Sequence, residues 1–596
     1  MKLVVPYIGA LRPADARLIQ LAEFLGIHSE ALALSKGLSQ YREFLDATAS
    51  DEPLCCVVNP SVIQDWAEPD PLPAELVTGL MSKFAHLFVH AVRPDPFHSS
   101  VVAAFSGGTL GGVRQIGRTD VTYQISPNSR DICEAFAGLH FGPANLSNDR
   151  VFSTRDVNHE LRTLISLGGN PFMAVVKHGN CNVFFIGSED TADLTAEAGD
   201  APLSDYFSRF LPHVMALRHI FGEECWRSEG EPHACVIVDD PLLRPAYGFL
   251  NFEHLLALMQ RHNFHTTIAF IPHNFRRSSP RIIRMFRENP KHLSLCFHGN
   301  DHTRAEFAAT DQILLNTMLQ IAEKRMTRHG ETTGLHCDRV MVFPQGKFSV
   351  EAMSILKSRN FDCAVNTVPH PMLEPARLTL GELAQPAVLR YGQFSLFLRK
   401  DSVRTQKVDI ALNLFFGRPT LIVEHHDVFK SPERLIEAIS RVNETAPEIR
   451  WANVGGAVKS SVLRQRNHDG AVRISAYSRE VRVANTSDRS QSVVVGWRRP
   501  GNETPVEQVL ENGLASKSVN VSNLEHVQLS AELDPMTSST FGLIYKNDFT
   551  TLRGVGLHRT ARGFVRRRLS EVRDNYFSKN SSILAVVKCL QQRFLG

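Results

Sequence analysis

Residues 234–240 read Ala234-Cys235-Val236-Ile237-Val238-Asp239-Asp240, and the reading of this stretch decides the fold of the central part of the chain. Five apolar residues, β-branched at the middle, are too few for a helix and suit a strand buried on both faces of a parallel sheet. The run stops on two adjacent carboxylates. Further on, a second run of the same kind, Leu293-Ser294-Leu295-Cys296-Phe297, stops on His298-Gly299-Asn300-Asp301-His302. One carboxylate and two imidazoles at strand ends can hold a divalent metal, and the remaining carboxylate can act on a water bound to it. Singly these motifs say little: with 25 His in 596 residues, one H-x-x-x-H arises by chance. Their weight comes from their order and from both following strand-like runs.

Outward from these two runs, helical periodicity covers 252–262, 280–289, 310–328, 350–359 and 432–442, alternating with further strand-like runs. Ser431 before Pro432 and Ser349 before Val350 are N-terminal helix signals, and Gly330 stands where the 310–328 helix is expected to stop. Strand and helix in alternation predict a (β/α) barrel over 230–456. In such barrels the reactive groups gather at the carboxyl ends of the strands, where both motifs fall.

The order of parts resembles the polysaccharide deacetylases, carbohydrate esterase family 4 with its NodB homology domain, whose barrel is incomplete or distorted. The resemblance implies that Asp239 is the base and that Asp240, His298 and His302 hold the metal. The stretch His265-Thr266-Thr267-Ile268-Ala269-Phe270-Ile271-Pro272 looks like the family's second strand, and Val340-Met341-Val342-Phe343-Pro344-Gln345-Gly346 like its Pro-x-Gly motif. There a backbone N–H near Pro344 and Gly346 is expected to help hold an oxyanion. Leu421-Ile422-Val423-Glu424-His425-His426-Asp427 resembles the family's late strand with a proton-donating His. His426 aligns as that general acid, with His425 as its rival, and strand alternation allows only one of the two to enter the site. One oxygen and two nitrogen ligands suit Zn²⁺ best, with Co²⁺, Ni²⁺, Mn²⁺ or Fe²⁺ also compatible. Tyr247, Asn274, Arg276, Arg277 and Asn300 are polar residues placed in loops from which a substrate pocket can be built. The chain departs from the family pattern in three places. Pro241 follows the Asp pair in place of Gly. Val342 replaces the Arg that normally orients the base, with Arg339 a candidate substitute. The family's later tryptophan motif is missing from residues 361–366.

Composition sets the frame. A chain of 596 residues exceeds a single core, and 43% hydrophobic with 21% charged residues is that of ordinary globular domains. The formal net charge of +3 gives no reason to expect a nucleic acid partner. No run reaches the roughly 18 apolar residues of a membrane span, and the first residues lack a signal-peptide pattern. The ten scattered Cys read as reduced core thiols, so a cytoplasmic location is expected.

Residues 1–229 alternate short apolar runs (3–8, 55–58, 121–124, 173–176, 183–186) with helical periods (15–25, 74–89, 205–221), which predicts a doubly wound α/β domain. The 173–187 stretch faintly resembles a class I glutamine amidotransferase domain, but no nucleophile Cys can be assigned. The glycine-rich Ser106–Gly112 segment has no Walker Lys and reads as a loop. Residues 468–545 carry short β-branched runs between turn residues and predict a small β-sandwich. Residues 546–596 form a basic tail with helical patterning, containing Arg566-Arg567-Arg568, that packs on the protein or touches an anionic membrane surface.

The expected function is a metal-dependent hydrolase that removes an acyl group, acetyl foremost, from a carbohydrate or sugar-containing intermediate. Two alternatives stand beside it: hydrolysis of a non-sugar amide by the same site, and a non-catalytic carbohydrate-binding or scaffold protein whose site has decayed. Nothing in the sequence speaks to oligomeric state.

Overall fold

The computed structural model describes residues 2–550 except 36–43, 45–53, 68–71, 118–119, 156–159, 200, 229–230, 304, 374–377, 468, 499–504, 517–518 and 524–525, together with Phe44 and Asn575. The expected basic tail therefore lies outside the described residues beyond 550. The chain forms two compact units. One comprises Met1–Arg227 with Leu378–Ala384 and Arg464–Gly470; the other comprises Ser228–Arg377, Gln385–Leu463 and the remainder. The first unit's long segment ends at Arg227, and its two short later returns leave no mark in the sequence pattern.

In the first unit, strands β1 (Lys2–Ile8), β2 (Ser29–Leu34), β3 (Leu54–Val58) and β4 (His86–Val89) are parallel, in the spatial order β2-β1-β3-β4. Cys181–Ile186 joins β4 in parallel, and then the sheet turns antiparallel through Asn170–His178, Leu161–Leu167, Tyr123–Ile125 and His140–Phe141. The expected doubly wound sheet is thus half of a mixed one. The antiparallel half follows from the tight turn at Gly179, which returns the chain directly with no crossover helix. The helix expected over 74–89 stops at Lys83, and His86–Val89 is an inner strand. A strand buried on both faces has no polar side to mark its period, so it reads as a continuation of the apolar helix before it. Leu87, Val89, Val101, Phe105 and Phe185 form part of the core beneath it.

The second unit holds a nearly closed, parallel, barrel-like sheet. Its strands run in space as Leu396–Leu398, Cys363–Asn366, Cys337–Val342, Leu293–His298, Thr266–Phe270, His233–Asp239, Thr420–Glu424 and Lys400–Asp401. The two end strands of this series are separated in sequence by Arg399 alone, so one residue bridges the gap where a closed barrel would have its last ladder. Helices cover 252–262, 280–288, 312–333, 350–358 and 433–445, close to the expected positions. Ser349 caps its helix, its Oγ accepting the N–H of Ala352 at 3.1 Å. Ser431 does not: Pro432 occupies the cap position in helical geometry and leaves no side chain to bond the first turn. The third helix runs through Gly330 and stops at Gly334, whose φ of +70° forms the left-handed cap. His329 and Thr333 are buried along that last turn, and their burial outweighs the roughly 1 kcal/mol that Gly330 costs a helix interior.

After the barrel, Val472–Ala476, Gln491–Arg498, His526–Leu533 and Val519–Asn523 lie in one sheet, and Glu480–Ala484, Ser538–Tyr545, Val506–Glu511 and Leu514–Ala515 in another. Val481, Val493, Val495, Trp497, Leu529 and Phe541 share one core between them. All nine described cysteines are free. Burial pushes the Cys235 thiol up to about 12, as expected of an inert core group. Among the described residues, no helix is long and apolar enough to cross a membrane.

Candidate metal centre

The first barrel strand ends at Asp239, and Asp240 follows in the left-handed region at φ +79°. A non-glycine residue with positive φ is held there only when its surroundings require it. The turn separates two carboxylates adjacent in sequence: Asp239 is enclosed, while Asp240 meets the histidines. Asp240 Oδ1 lies 3.4 Å from His298 Nε2 and 3.3 Å from His302 Nε2, and the ligand atoms of all three fall within 4.8 Å of one another. Ligands about 2.0–2.1 Å from a tetrahedral metal sit roughly 3.4 Å apart, which these carboxylate–imidazole distances match.

His298 ends the strand Leu293–His298 and is 2% exposed on its side chain. Its Nδ1 lies 3.0 Å from the carbonyl of Val342. A carbonyl only accepts, so Nδ1 carries the hydrogen and the Nε2 lone pair is available to a cation. His302 sits at φ +58° in a loop built around one buried carboxyl. Glu306 accepts the backbone N–H of Asn300 at 2.8 Å and of His302 at 3.1 Å. Burial foremost, and then the neighbouring Asp301, hold the Glu306 carboxyl well above its ordinary range. Gly299 makes the tight turn possible: at φ +64°, a Cβ there would lie 2.3 Å from Glu306 Oε1. The donor set, its spacing and the tautomer of His298 all fit a divalent cation.

Asp239 is the second element of the site. Arg399 clamps it with two parallel hydrogen bonds, Nη1 to Oδ1 at 2.7 Å and Nη2 to Oδ2 at 2.6 Å, with both side chains at most 5% exposed. Burial is the largest single influence on the carboxyl and would raise its pKa. The positive charge of Arg399, helped by His298 and His425, overturns that and holds it below the ordinary value. The fork uses two of the roughly four lone-pair directions of the carboxylate and leaves the others able to take a proton. Arg339, the candidate substitute, is engaged elsewhere, donating to Glu323 and to the carbonyl of Asn360. Arg399 carries a readable signal after the fact: it closes the apolar run Leu396-Phe397-Leu398 as the Asp and His motifs close theirs.

The late strand Thr420–Glu424 pairs in parallel with the first, Val238 opposite Glu424. His425 continues it in extended geometry, so it lies alongside Asp239 and shares its face. Its influence on the Asp239 carboxyl agrees with that position. His426 turns the other way. Its ring meets Tyr247 edge-on at 5.5 Å and stacks near Phe249 at 6.4 Å, and a Cβ on Gly248 would strike its Nδ1 at 2.3 Å.

The loop residues separate into two groups. Tyr247 and Asn274 are fully enclosed and Asn300 is 4% exposed. Asn300 Oδ1 accepts from Arg325 at 2.6 Å, which braces the loop that carries His302. Arg276 is exposed over the ring of Phe275, and Arg277 reaches Asn274 Oδ1 at 3.4 Å. Pro344 packs close to Gly299, while the N–H of Gly346 donates to the carbonyl of Phe343 at 3.1 Å and is thereby committed.

No protein-family model matches the chain. No curated protein matches it either. Among solved structures, it is similar to Agd3, described as a novel carbohydrate deacetylase, with 9% identity over 91% of this chain and 98% of that one, at a TM-score of 0.48. It is also similar to the peptidoglycan deacetylase PdaC from Bacillus subtilis, with 14% identity over 38% of this chain and 88% of that one, at a TM-score of 0.23. A third is the catalytic domain of peptidoglycan N-acetylglucosamine deacetylase from Eubacterium rectale, with 12% identity over 38% of this chain and 91% of that one, at a TM-score of 0.24.

Proposed function

We propose that this protein is a metal-dependent hydrolase that removes an acyl group, acetyl foremost, from an amine or hydroxyl of a carbohydrate or sugar-containing compound. The observation that carries this reading is one cluster: Asp240, His298 and His302 at metal-ligand spacing, with the ionised Asp239 clamped by Arg399 beside it. Asp240, His298 and His302 would hold a divalent ion, Zn²⁺ being best suited to them, which when bound would supply Lewis-acid polarisation of the acyl oxygen and a lowered pKa for the attacking water. Asp239, ionised at neutral pH, takes the proton as the water oxygen bonds to the acyl carbon. Arg399 keeps the carboxylate in one orientation during that transfer. As the bond from the acyl carbon to nitrogen or oxygen breaks, His425 gives the leaving group its proton. His425 is preferred to His426 because it shares the face of Asp239, whereas His426 is packed by Tyr247 and Phe249.

The alternative of a decayed site rested on a missing arginine, and Arg399 meets that need from the short link between the two end strands. Hydrolysis of a non-sugar amide uses the same groups and differs only in the substrate. Acetate release from a panel of acetylated sugars and sugar nucleotides, with metal-loaded wild-type protein and the Asp239→Asn variant, tests the reading. Turnover on at least one substrate, lost in the variant, is the expected result. A protein that binds about one metal ion per chain yet releases no acyl group from any sugar or amide substrate would overturn it.

A further inference from the structure

The first unit has a site of its own at the strand ends. From β1 the chain passes through the helix Pro13–Phe24 to β2 on one side and later returns as β3 on the other. Such a reversal leaves a crevice outside the carboxyl ends of the two middle strands, a place where α/β sheets bind ligands. A cavity of about 410 Å³ lies there, lined from the segments that follow β1, β3 and β4.

Its lining is strongly cationic. Four guanidinium groups, Arg12, Arg17, Arg93 and Arg209, share it with two carboxylates, Glu189 and Asp190. Arg17 pairs with Asp190, and Arg12 pairs at 2.6 Å with Asp65, outside the lining. Glu189 is taken chiefly by Arg150, also outside the lining, and Arg93 reaches it only at 3.4 Å. Arg209 has no carboxylate partner among the described residues. Beneath the cavity Asp15 is fully buried and satisfied, accepting from Asn59 Nδ2 at 3.1 Å on both oxygens and lying 2.8 Å from His90 Nε2.

A second feature, independent of the arginines, also selects for an acceptor ligand. The backbone N–H of Arg93 donates to His98 Nδ1 at 2.9 Å, so the neutral ring carries its hydrogen on Nε2. That nitrogen lies 3.1 Å from Ser61 Oγ and donates to it. Burial holds the ring below its usual pKa, in agreement with a neutral imidazole. Ser61 is 7% exposed and lines the cavity, and with its oxygen occupied its hydroxyl hydrogen is left to donate. The same tautomer denies Ser61 a base, so the Ser–His pair is built for binding and not for nucleophilic attack. The first turns of the helices Pro13–Phe24 and Pro60–Ala67 also border the cavity and add their positive ends.

We propose that this crevice binds the phosphoryl group of a small phosphate-bearing molecule through Arg17, Arg93, Arg209 and the Ser61 hydroxyl. Planar guanidiniums match a phosphate oxygen edge, and a neutral hydroxyl donor fits a third oxygen.

The test is calorimetric titration of the full chain, stripped of metal by chelator, with inorganic phosphate and in parallel with glucose 6-phosphate. Binding of inorganic phosphate with a dissociation constant of about 1 mM or tighter is expected. It should weaken at least tenfold in Arg209→Ala, recover to within about threefold in Arg209→Lys, and weaken with added salt. Tighter binding of glucose 6-phosphate would place more of the ligand in the cavity. Asp240→Ala, which removes a metal ligand in the other unit, should leave the titration unchanged. If Arg209→Ala fails to fold, Arg93→Ala carries the same test, since that side chain is 56% exposed. Absence of binding to either probe, binding unaltered in both Arg209→Ala and Arg93→Ala, or binding abolished by Asp240→Ala overturns the proposal.

Discussion

The barrel and the smaller α/β unit both bring polar side chains to the carboxyl ends of parallel strands, and they do so with opposite charge. At the barrel mouth three possible ligand atoms lie close together, and the Arg399 guanidinium is tied to Asp239 by two hydrogen bonds. At the reversal of the smaller sheet arginines surround a cavity, and the buried Asp15 accepts hydrogen bonds from Asn59. The architecture selects the place in both cases, because strand ends present side chains and helix starts to a common opening. The chemistry depends on which charge prevails. In the barrel one carboxylate and two imidazoles that could hold a metal ion lie together; in the smaller unit the guanidiniums outnumber the acids.

Variants can break or sharpen this contrast. The largest effect is expected from Asp240→Ala or His298→Ala: elemental analysis should find bound metal falling from about one ion per chain to none, with turnover lower by at least ~10³-fold, the several kcal/mol a metal contributes. Asp239→Asn and His425→Ala should each keep the metal and lose about 10²–10⁴-fold in turnover. His426→Ala should lose far less turnover and lower the denaturation midpoint instead. A larger loss from His426→Ala than from His425→Ala would reverse the assignment of the proton donor.

Stability distinguishes the two regions as well. Arg399→Ala leaves a buried carboxylate uncompensated and should cost about 3–5 kcal/mol in chemical denaturation. Arg17→Ala removes one partner of a pair whose side chains are 32% and 34% exposed, and should cost no more than about 1 kcal/mol.

A smaller effect concerns pH. Burial lowers the His265 pKa from 6.5 to about 4, against hydrogen bonds at 2.9 Å to the Lys291 carbonyl and Ser294 Oγ. As pH falls from about 6.5 to about 4, the unfolded chain binds a proton that the folded ring refuses. Stability is therefore full above that window and declines through it, by as much as ~3 kcal/mol. His265→Gln should flatten the decline in denaturation midpoints measured across the window, and an unchanged slope would refute the assignment.

Much of the barrel was legible in one dimension. Apolar runs ending in Asp239-Asp240 and in His298–His302 mark the residues that the structure brings together as a possible metal-binding triad, and five of its helices follow from periodicity and end signals. Less could be read from the smaller unit, where His86–Val89 is buried on both faces and lacks an alternating pattern. Gly330 and Ser431 misled for the same physical reason, since burial and chain geometry outweigh preferences worth about 1 kcal/mol.

By itself the sequence determined the residues that can hold a cation and the strands that carry them, because both are local properties of composition and spacing. Only the tertiary structure decided that Arg399 clamps Asp239 across 160 positions of chain, that His425 shares its face, and that arginines from three separate segments ring one cavity. Those are contacts between residues far apart along the chain. They exist only once sheet order and register have brought the strand ends together.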